Sequence, residues 1–274
     1  MNYQITSKQI ANPLLVGLLK KLTDCFSQMH YDFYVIGATA RDLISIPLNI
    51  TISTRRTRDL DIAIAIPNWE AFEQIKETLI QEGFEKSSNM SHHFYYGNYE
   101  LDIVPYGNIA KEDDNIYWPP EEDIAMSVKG FSEVLADAIT VTIDDNLDVK
   151  IASLHGLFIL KFNAWLDRHI ENDKDAEDIS YIISNYFYAN IERDLPAEMY
   201  DDFDDYIVGA HLLAQDLKLL LDEEQRLYYT ECICHELEKE EESLLVNQII
   251  EKDCKLKYEQ VRKAWKTIVD VLIL

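Results

Sequence analysis

The segment Arg58-Asp59-Leu60-Asp61-Ile62-Ala63-Ile64 constrains this chain more than any other, because it sets two carboxylates one residue apart on an apolar strand. Alternate side chains of a strand share a face, so Asp59 and Asp61 project together. A third carboxylate, Asp102, lies in a second strand pattern, Glu100 to Val104, and joins them if the two strands are neighbours. The outline is a sheet with a divalent-metal site on one face. Ahead of it runs Tyr34-Val35-Ile36-Gly37-Ala38-Thr39-Ala40-Arg41-Asp42, an apolar strand that turns through glycine into a helix. The first amides of such a helix can hold a phosphate. Together the two features point to phosphoryl or nucleotidyl transfer.

A chain of 274 residues, 47% of them apolar, can bury one sizeable core or divide into two ordinary domains, and two are expected. No run of ~18 or more uncharged apolar residues is present. The opening Met1-Asn2-Tyr3-Gln4-Ile5 lacks the basic and apolar regions of a secretory signal. The expectation is a soluble cytoplasmic protein without a membrane partner. Cys25, Cys232, Cys234 and Cys254 are too few and too scattered for a disulfide framework. The net charge of −25 is uneven: residues 1–110 carry 12 acidic and 9 basic side chains, residues 111–274 carry 38 and 16. An acidic surface repels phosphate backbones, which argues against a broad nucleic-acid footprint. The dense basic patch, Arg55, Arg56 and Arg58, abuts the aspartate pair, where a triphosphate needs countercharge.

Apolar residues at helical spacing predict a helix within residues 9–30, before a strand over Phe33 to Ile36. A short helix from Thr39 to Ile46 stops at Pro47. A strand over Leu60 to Ile66 and a helix from Trp69 to Glu82 follow, closed by Gly83. Gly97-Asn98 signals a two-residue hairpin between His93–Tyr96 and Tyr99–Val104. Residues 105–130 read as a polar crossing without a period, and Ile139 to Ile151 as a further hairpin. Beyond Ser153 the pattern is helical. The fold class expected is α+β, a mixed-sheet head over residues 1–130 followed by a mainly α-helical domain over 131–274.

Nucleotidyl transfer develops charge at the α-phosphorus and on the departing pyrophosphate, which carboxylate-held divalent ions can stabilise. Asp59 and Asp61 are assigned to both metals, and Asp102 to the metal that activates the acceptor and to the acceptor's proton. Oxygen ligands favour Mg²⁺ or Mn²⁺. Gly37 allows close backbone approach, Thr39 offers a hydroxyl and an amide to the β- and γ-phosphates, and Arg41 adds charge. Lys161 and Arg168, seven apart, share a helix face and are expected to reach a cleft shared with the head, with Lys161 on the triphosphate. Asp175 and Asp178 can hold these two cations, or Asp175 can meet the nucleotide itself. Each feature also has a plainer reading, as a solvated strand edge, a strand-to-helix corner or a surface of salt bridges. His92-His93 reads as a strand end with one side exposed. Cys232-x-Cys234-His235 lies in an amphipathic helical stretch, where adjacent ligands diverge.

Gly37-Ala38-Thr39-Ala40-Arg41-Asp42 resembles the Gly-Gly-x-Val-Arg-Asp turn of tRNA CCA-adding enzymes and the Gly-Gly-Thr-Ala turn of AbiEii-type toxins. Arg55-x-Thr57-x-Asp59-Leu60-Asp61 is similar to the Arg-x-Thr/Ser-x-Asp-x-Asp segment of the AbiEii-like group. Lys161-Phe162-Asn163-Ala164-Trp165-Leu166-Asp167-Arg168, with Lys174-Asp175-Ala176-Glu177-Asp178, resembles that group's Lys-x-x-Ala-x-x-x-Arg and Lys-Asp-x-x-Asp signature. Ala38 departs from the Gly or Ser usual in the family turn. The resemblance, over residues 30–185, implies a nucleotidyltransferase head of the polymerase-β type. It implies Mg²⁺-dependent transfer from a nucleoside triphosphate, with Arg55 and Thr57 among the nucleotide-binding residues. Many such proteins are the toxin of a toxin–antitoxin or phage-defence pair, and some modify tRNA ends. The acceptor stays open among a tRNA end, a protein and a small molecule. Aminoglycoside-type transfer and an inactive nucleotide-sensing or partner-binding module are the alternatives.

Overall fold

A computed structural model describes residues 2–50, 59–120, 122 and 125–273. The expected nucleotide-binding residues Arg55 and Thr57 lie outside the described residues. The chain divides into two compact units: among the described residues, one holds those up to Pro47 and from Asp59 to Ser153, and the other holds Leu48 to Ile50 together with those from Leu154 on.

The first unit contains β1 (Asn2–Ile5), α1 (Pro13–Met29), β2 (Phe33–Ile36), α2 (Gly37–Ser45), β3 (Asp59–Ile66) and α3 (Trp69–Gln81). It continues with β4 (Glu85–Lys86), β5 (His93–Tyr96), β6 (Tyr99–Gly107), β7 (Asn115–Tyr117), β8 (Ala125–Ser127), α4 (Phe131–Ala136), β9 (Ile139–Ile143) and β10 (Leu147–Ile151). Among the described residues, eight strands form one mixed sheet in the order β1-β9-β10-β2-β3-β6-β5-β4, and β7 pairs β8. Local signals start the helices. Asn12 accepts the Leu14 amide ahead of Pro13 in the first turn of α1, and Asn68 accepts the Ala71 amide at the head of α3. Pro47 stands just beyond α2.

One sheet face is the core. Leu60, Ile62, Ile64, Leu101 and Ile103 have no exposed surface, and burying such a side chain contributes about 1.5–3 kcal/mol. Phe26 of α1 meets Phe33 of β2 at 5.3 Å on this face, and α3 packs beside α1. The residues between them on β3 and β6, Asp59, Asp61, Glu100 and Asp102, therefore belong to the other face.

The structure places more strands in the head than the periodicity suggests. β1 pairs in parallel with β9, Asn2 opposite Thr140, and β10 pairs in parallel with β2. The β9–β10 hairpin is thus part of the sheet, so the unit extends to Ser153 where a boundary at 130 was expected. The polar crossing of 105–130 contains the two-stranded β7–β8 ribbon.

The second unit is helical among its described residues: α5 (Leu154–Arg168), α6 (Lys174–Ala189), α7 (Glu198–Asp201), α8 (Asp205–Leu220), α9 (Glu223–Glu238), α10 (Leu244–Lys252) and α11 (Tyr258–Ile273). Phe158 and Phe162 of α5 meet the fully buried Trp265 of α11 at 5.7 and 5.4 Å. α6 and α8 touch through Gly209, where an added Cβ would lie 2.3 Å from the Ile183 carbonyl oxygen. No described helix is long and apolar enough to cross a membrane.

Candidate active site on the carboxylate face of the sheet

β3 lies between β2, its antiparallel neighbour, and β6, its parallel one. Ile36 stands opposite Asp61, Asp61 beside Asp102, and Asp59 beside Glu100. Directly paired residues of neighbouring strands project from the same face, with strands about 4.8 Å apart. Asp59, Asp61, Glu100 and Asp102 therefore make a two-by-two block of carboxylates. Asp59 and Glu100 are exposed, and Asp61 and Asp102 are half-buried.

Gly37 borders this block. It opens α2 at φ +66, and a Cβ there would stand 2.3 Å from Asp61 Oδ2. The position needs glycine twice, for the left-handed backbone and for the space that the carboxylate fills. The positive end of α2 thus begins beside an anion, which favours both.

Two residues of the same turn make side-chain contacts within the fold. The Thr39 hydroxyl, expected at the phosphates, donates to the Asp59 carbonyl oxygen at 3.1 Å and ties α2 to β3. Arg41 is 3% exposed and directs Nε and a terminal nitrogen to Asp42 Oδ1 at 3.0 and 2.9 Å. Because α2 is buried along most of its length, these polar groups are satisfied within the fold.

In the helical unit, Lys161 Nζ lies 3.1 Å from Asp175 Oδ1 and 2.8 Å from Asp178 Oδ2. Arg168 Nε donates to Asp175 Oδ2 at 2.8 Å, and its Nη2 to Oδ1 at 3.1 Å. Burial alone would push the Asp175 carboxyl up. The Arg168 hydrogen bond and the Lys161 charge outweigh it and hold the group below the usual carboxylate range. Burial opposes the Lys161 charge too, yet Asp178 and Asp175 raise its pKa. Asp175 is 1% exposed and pairs with both cations. The Lys161 side chain is 18% exposed and that of Arg168 50%, which makes the guanidinium the outward-facing cation of the pair.

His92-His93 reads from sequence as a strand end with one side exposed; His93 opens β5 and is buried beside the block, while His92 is half-buried. The His93 Nδ1 lies 2.6 Å from Asp102 Oδ1, and Nε2 is 3.8 Å from Glu100 Oε2. The signal was available: the Gly97-Asn98 turn pairs Tyr96 with Tyr99, and counting back along the hairpin sets His93 opposite Asp102. Among the described residues, the side chains as placed form no group of three or more His, Cys, Asp or Glu able to hold a metal ion.

Fold and site define the class: an α+β protein with a carboxylate block on a mixed sheet, bordered by a glycine-opened helix. No family model and no curated protein matches the chain. Among solved structures, a solution structure of the antibiotic-resistance factor ANT(2″)-Ia is 16% identical, covering 65% of this chain and 88% of that one at a TM-score of 0.42. A crystal structure of ANT(2″)-Ia in complex with adenylyl-2″-tobramycin is 14% identical over 65% and 93% of the two chains, at a TM-score of 0.40.

Proposed function

We propose that this chain is a metal-dependent nucleotidyltransferase that moves a nucleoside monophosphate from a nucleoside triphosphate to an acceptor hydroxyl. The observation that carries the reading is the register of Asp61 beside Asp102, with Asp59 two residues along the same face and Gly37 against Asp61. The donors are all oxygen, the choice of hard cations, and the missing Cβ of Gly37 leaves the Asp61 carboxylate its room. Asp59, Asp61 and Asp102 would hold the ions. When bound, Mg²⁺ or Mn²⁺ supplies Lewis-acid stabilisation of charge on the phosphates and the departing pyrophosphate.

The chain's own residues then have defined tasks. Asp102 takes the proton of the acceptor hydroxyl, whose oxygen forms a bond to the α-phosphorus. The bond from that phosphorus to the bridging oxygen breaks, and pyrophosphate leaves with the electron pair. Gly37 keeps the backbone at the head of α2 close to the carboxylates. Arg55 and Thr57 are assigned to the nucleotide through the resemblance in their segment. Lys161 and Arg168, the cations that the resemblance assigns to the nucleotide, are held within the helical unit on their shared Asp175.

The acceptor remains a choice between two readings. The AbiEii-like motifs favour a toxin acting on a tRNA end, with an antitoxin as partner. The excess of acidic over basic side chains in residues 111–274, 38 against 16, favours a small polycationic acceptor of the aminoglycoside kind. The test is incubation of the purified chain with triphosphates labelled at the α-phosphate, Mg²⁺ or Mn²⁺, and panels of tRNA, protein and aminoglycoside acceptors. Label on an acceptor in the wild type, absent from Asp61→Asn, supports the reading. Metal-dependent triphosphate binding without product would support a sensing module instead.

A further inference from the structure

We propose that His93 is a positioning residue for Asp102, fixing one carboxylate oxygen so that the other is aimed at the acceptor and the metal ions. The inference rests on the nucleotidyl-transfer reading and adds to it a residue that none of the matched motifs contains.

The hairpin makes the contact obligatory. His93 opens β5 directly opposite Asp102 of β6, and paired residues stand on one face within side-chain reach. The imidazole is 4% exposed, and a buried polar ring needs a partner. It finds one in Asp102 Oδ1 at 2.6 Å, at the short limit for a nitrogen donor on a carboxylate. An ionised carboxylate only accepts, so Nδ1 carries the proton. The ring itself is held edge-on against Tyr95 at 4.8 Å. A rigid donor on a rigid hairpin therefore decides where Oδ1 points.

This matters because of what surrounds Asp102. β6 lies between β5 and β3 in the sheet. Drawing Oδ1 toward β5 turns the second oxygen toward β3, the strand that carries Asp61. Left to themselves, neighbouring carboxylates at Asp61, Asp102 and Glu100 repel and rotate apart. The histidine supplies the attraction that holds one of them in place before any cation arrives, as partners behind metal ligands do elsewhere.

Two amide replacements separate positioning from mere filling of space. Asparagine puts its Nδ2 donor where Nδ1 stands, one bond from Cγ, whereas glutamine carries its amide one carbon further. The full-length wild type, His93→Asn and His93→Gln are titrated with Mn²⁺ by calorimetry, and transfer from an α-labelled triphosphate is followed at varied acceptor concentration. The expected result is a fall of about 10- to 100-fold in Mn²⁺ affinity and kcat for His93→Gln. Acceptor KM and thermal midpoint hold, and His93→Asn restores both losses. Equal behaviour of the two variants, folded or unfolded, overturns the inference. So does a Gln variant that differs from Asn only in stability. A wild type that neither binds the triphosphate with metal nor transfers label sinks the underlying reading instead.

Discussion

Alanine at Gly37 tests the contact on which the proposed site is built. The residue sits at φ +66, where an L side chain costs about 1–2 kcal/mol. The new Cβ would stand 2.3 Å from Asp61 Oδ2, against 3.4 Å or more in ordinary contact. The carboxylate must withdraw by about 1 Å, and forcing it off its rotamer costs about 0.5–1.5 kcal/mol. The unfolded chain returns about 0.4–1 kcal/mol, because alanine has less freedom to lose than glycine. The net destabilisation is about 0.5–3 kcal/mol, which is modest. The functional effect is larger, since misplacing a catalytic group by about 1 Å costs on the order of 100-fold in rate. Gly83→Ala is the control: it too has a positive φ, +94, but a Cβ there meets nothing within 4 Å. Urea unfolding gives the stability of both variants, and Mn²⁺-dependent triphosphate binding and label transfer give their function. Gly83→Ala should lose stability alone, and Gly37→Ala both. If Gly37→Ala binds and transfers like Gly83→Ala, the argument that Asp61 is held against this glycine is refuted.

Three further outcomes follow from the helical unit. Gly209→Ala drives a Cβ to 2.3 Å from the Ile183 backbone oxygen, which no side-chain rotation relieves; α6 and α8 must part, with an expected loss of about 1–3 kcal/mol measured by thermal unfolding. Lys161→Met leaves Asp175 and Asp178 buried beside one cation fewer, and chemical denaturation should show a loss of about 3–5 kcal/mol. The Asp175 carboxyl is held below the usual range by Arg168 and Lys161 in spite of burial. Its contribution is therefore present above the ordinary carboxylate pKa of about 4 and lost as pH falls through the lower folded value. Unfolding midpoints measured from pH 5 downward should show this acid loss in wild type and a flatter curve in Asp175→Asn; parallel curves would contradict the assignment.

Much of the head was readable because its signals are local. The aspartate alternation of β3, the Gly97-Asn98 hairpin and the strand that ends at Gly37 depend on neighbours within a few residues. Even the His93–Asp102 pair follows from hairpin arithmetic, although histidines beside a strand end carry no such message on their face. By contrast, β1 is four residues long and its partner in β9 lies more than a hundred positions away, Asn2 opposite Thr140. Nothing in Asn2–Ile5 announces that pairing, so the extent of the sheet and the limit of the first unit could not be seen.

The chemistry of single positions divides in the same way. Residue type and spacing were enough to nominate Asp59, Asp61, Asp102, Lys161, Arg168 and Asp175, because alternation in strands and a three- to four-residue period in helices are short-range properties of the backbone. Whether each group faces solvent or a partner depended on packing between distant segments. Thr39 is turned onto the Asp59 carbonyl, Arg41 onto Asp42, and Asp175 lies beneath Lys161 and Arg168. Gly37 meets Asp61 only because β2 and β3 lie side by side. A chain spells out which groups are available; long-range contacts, whose partners no local pattern names, choose which of them are left to act.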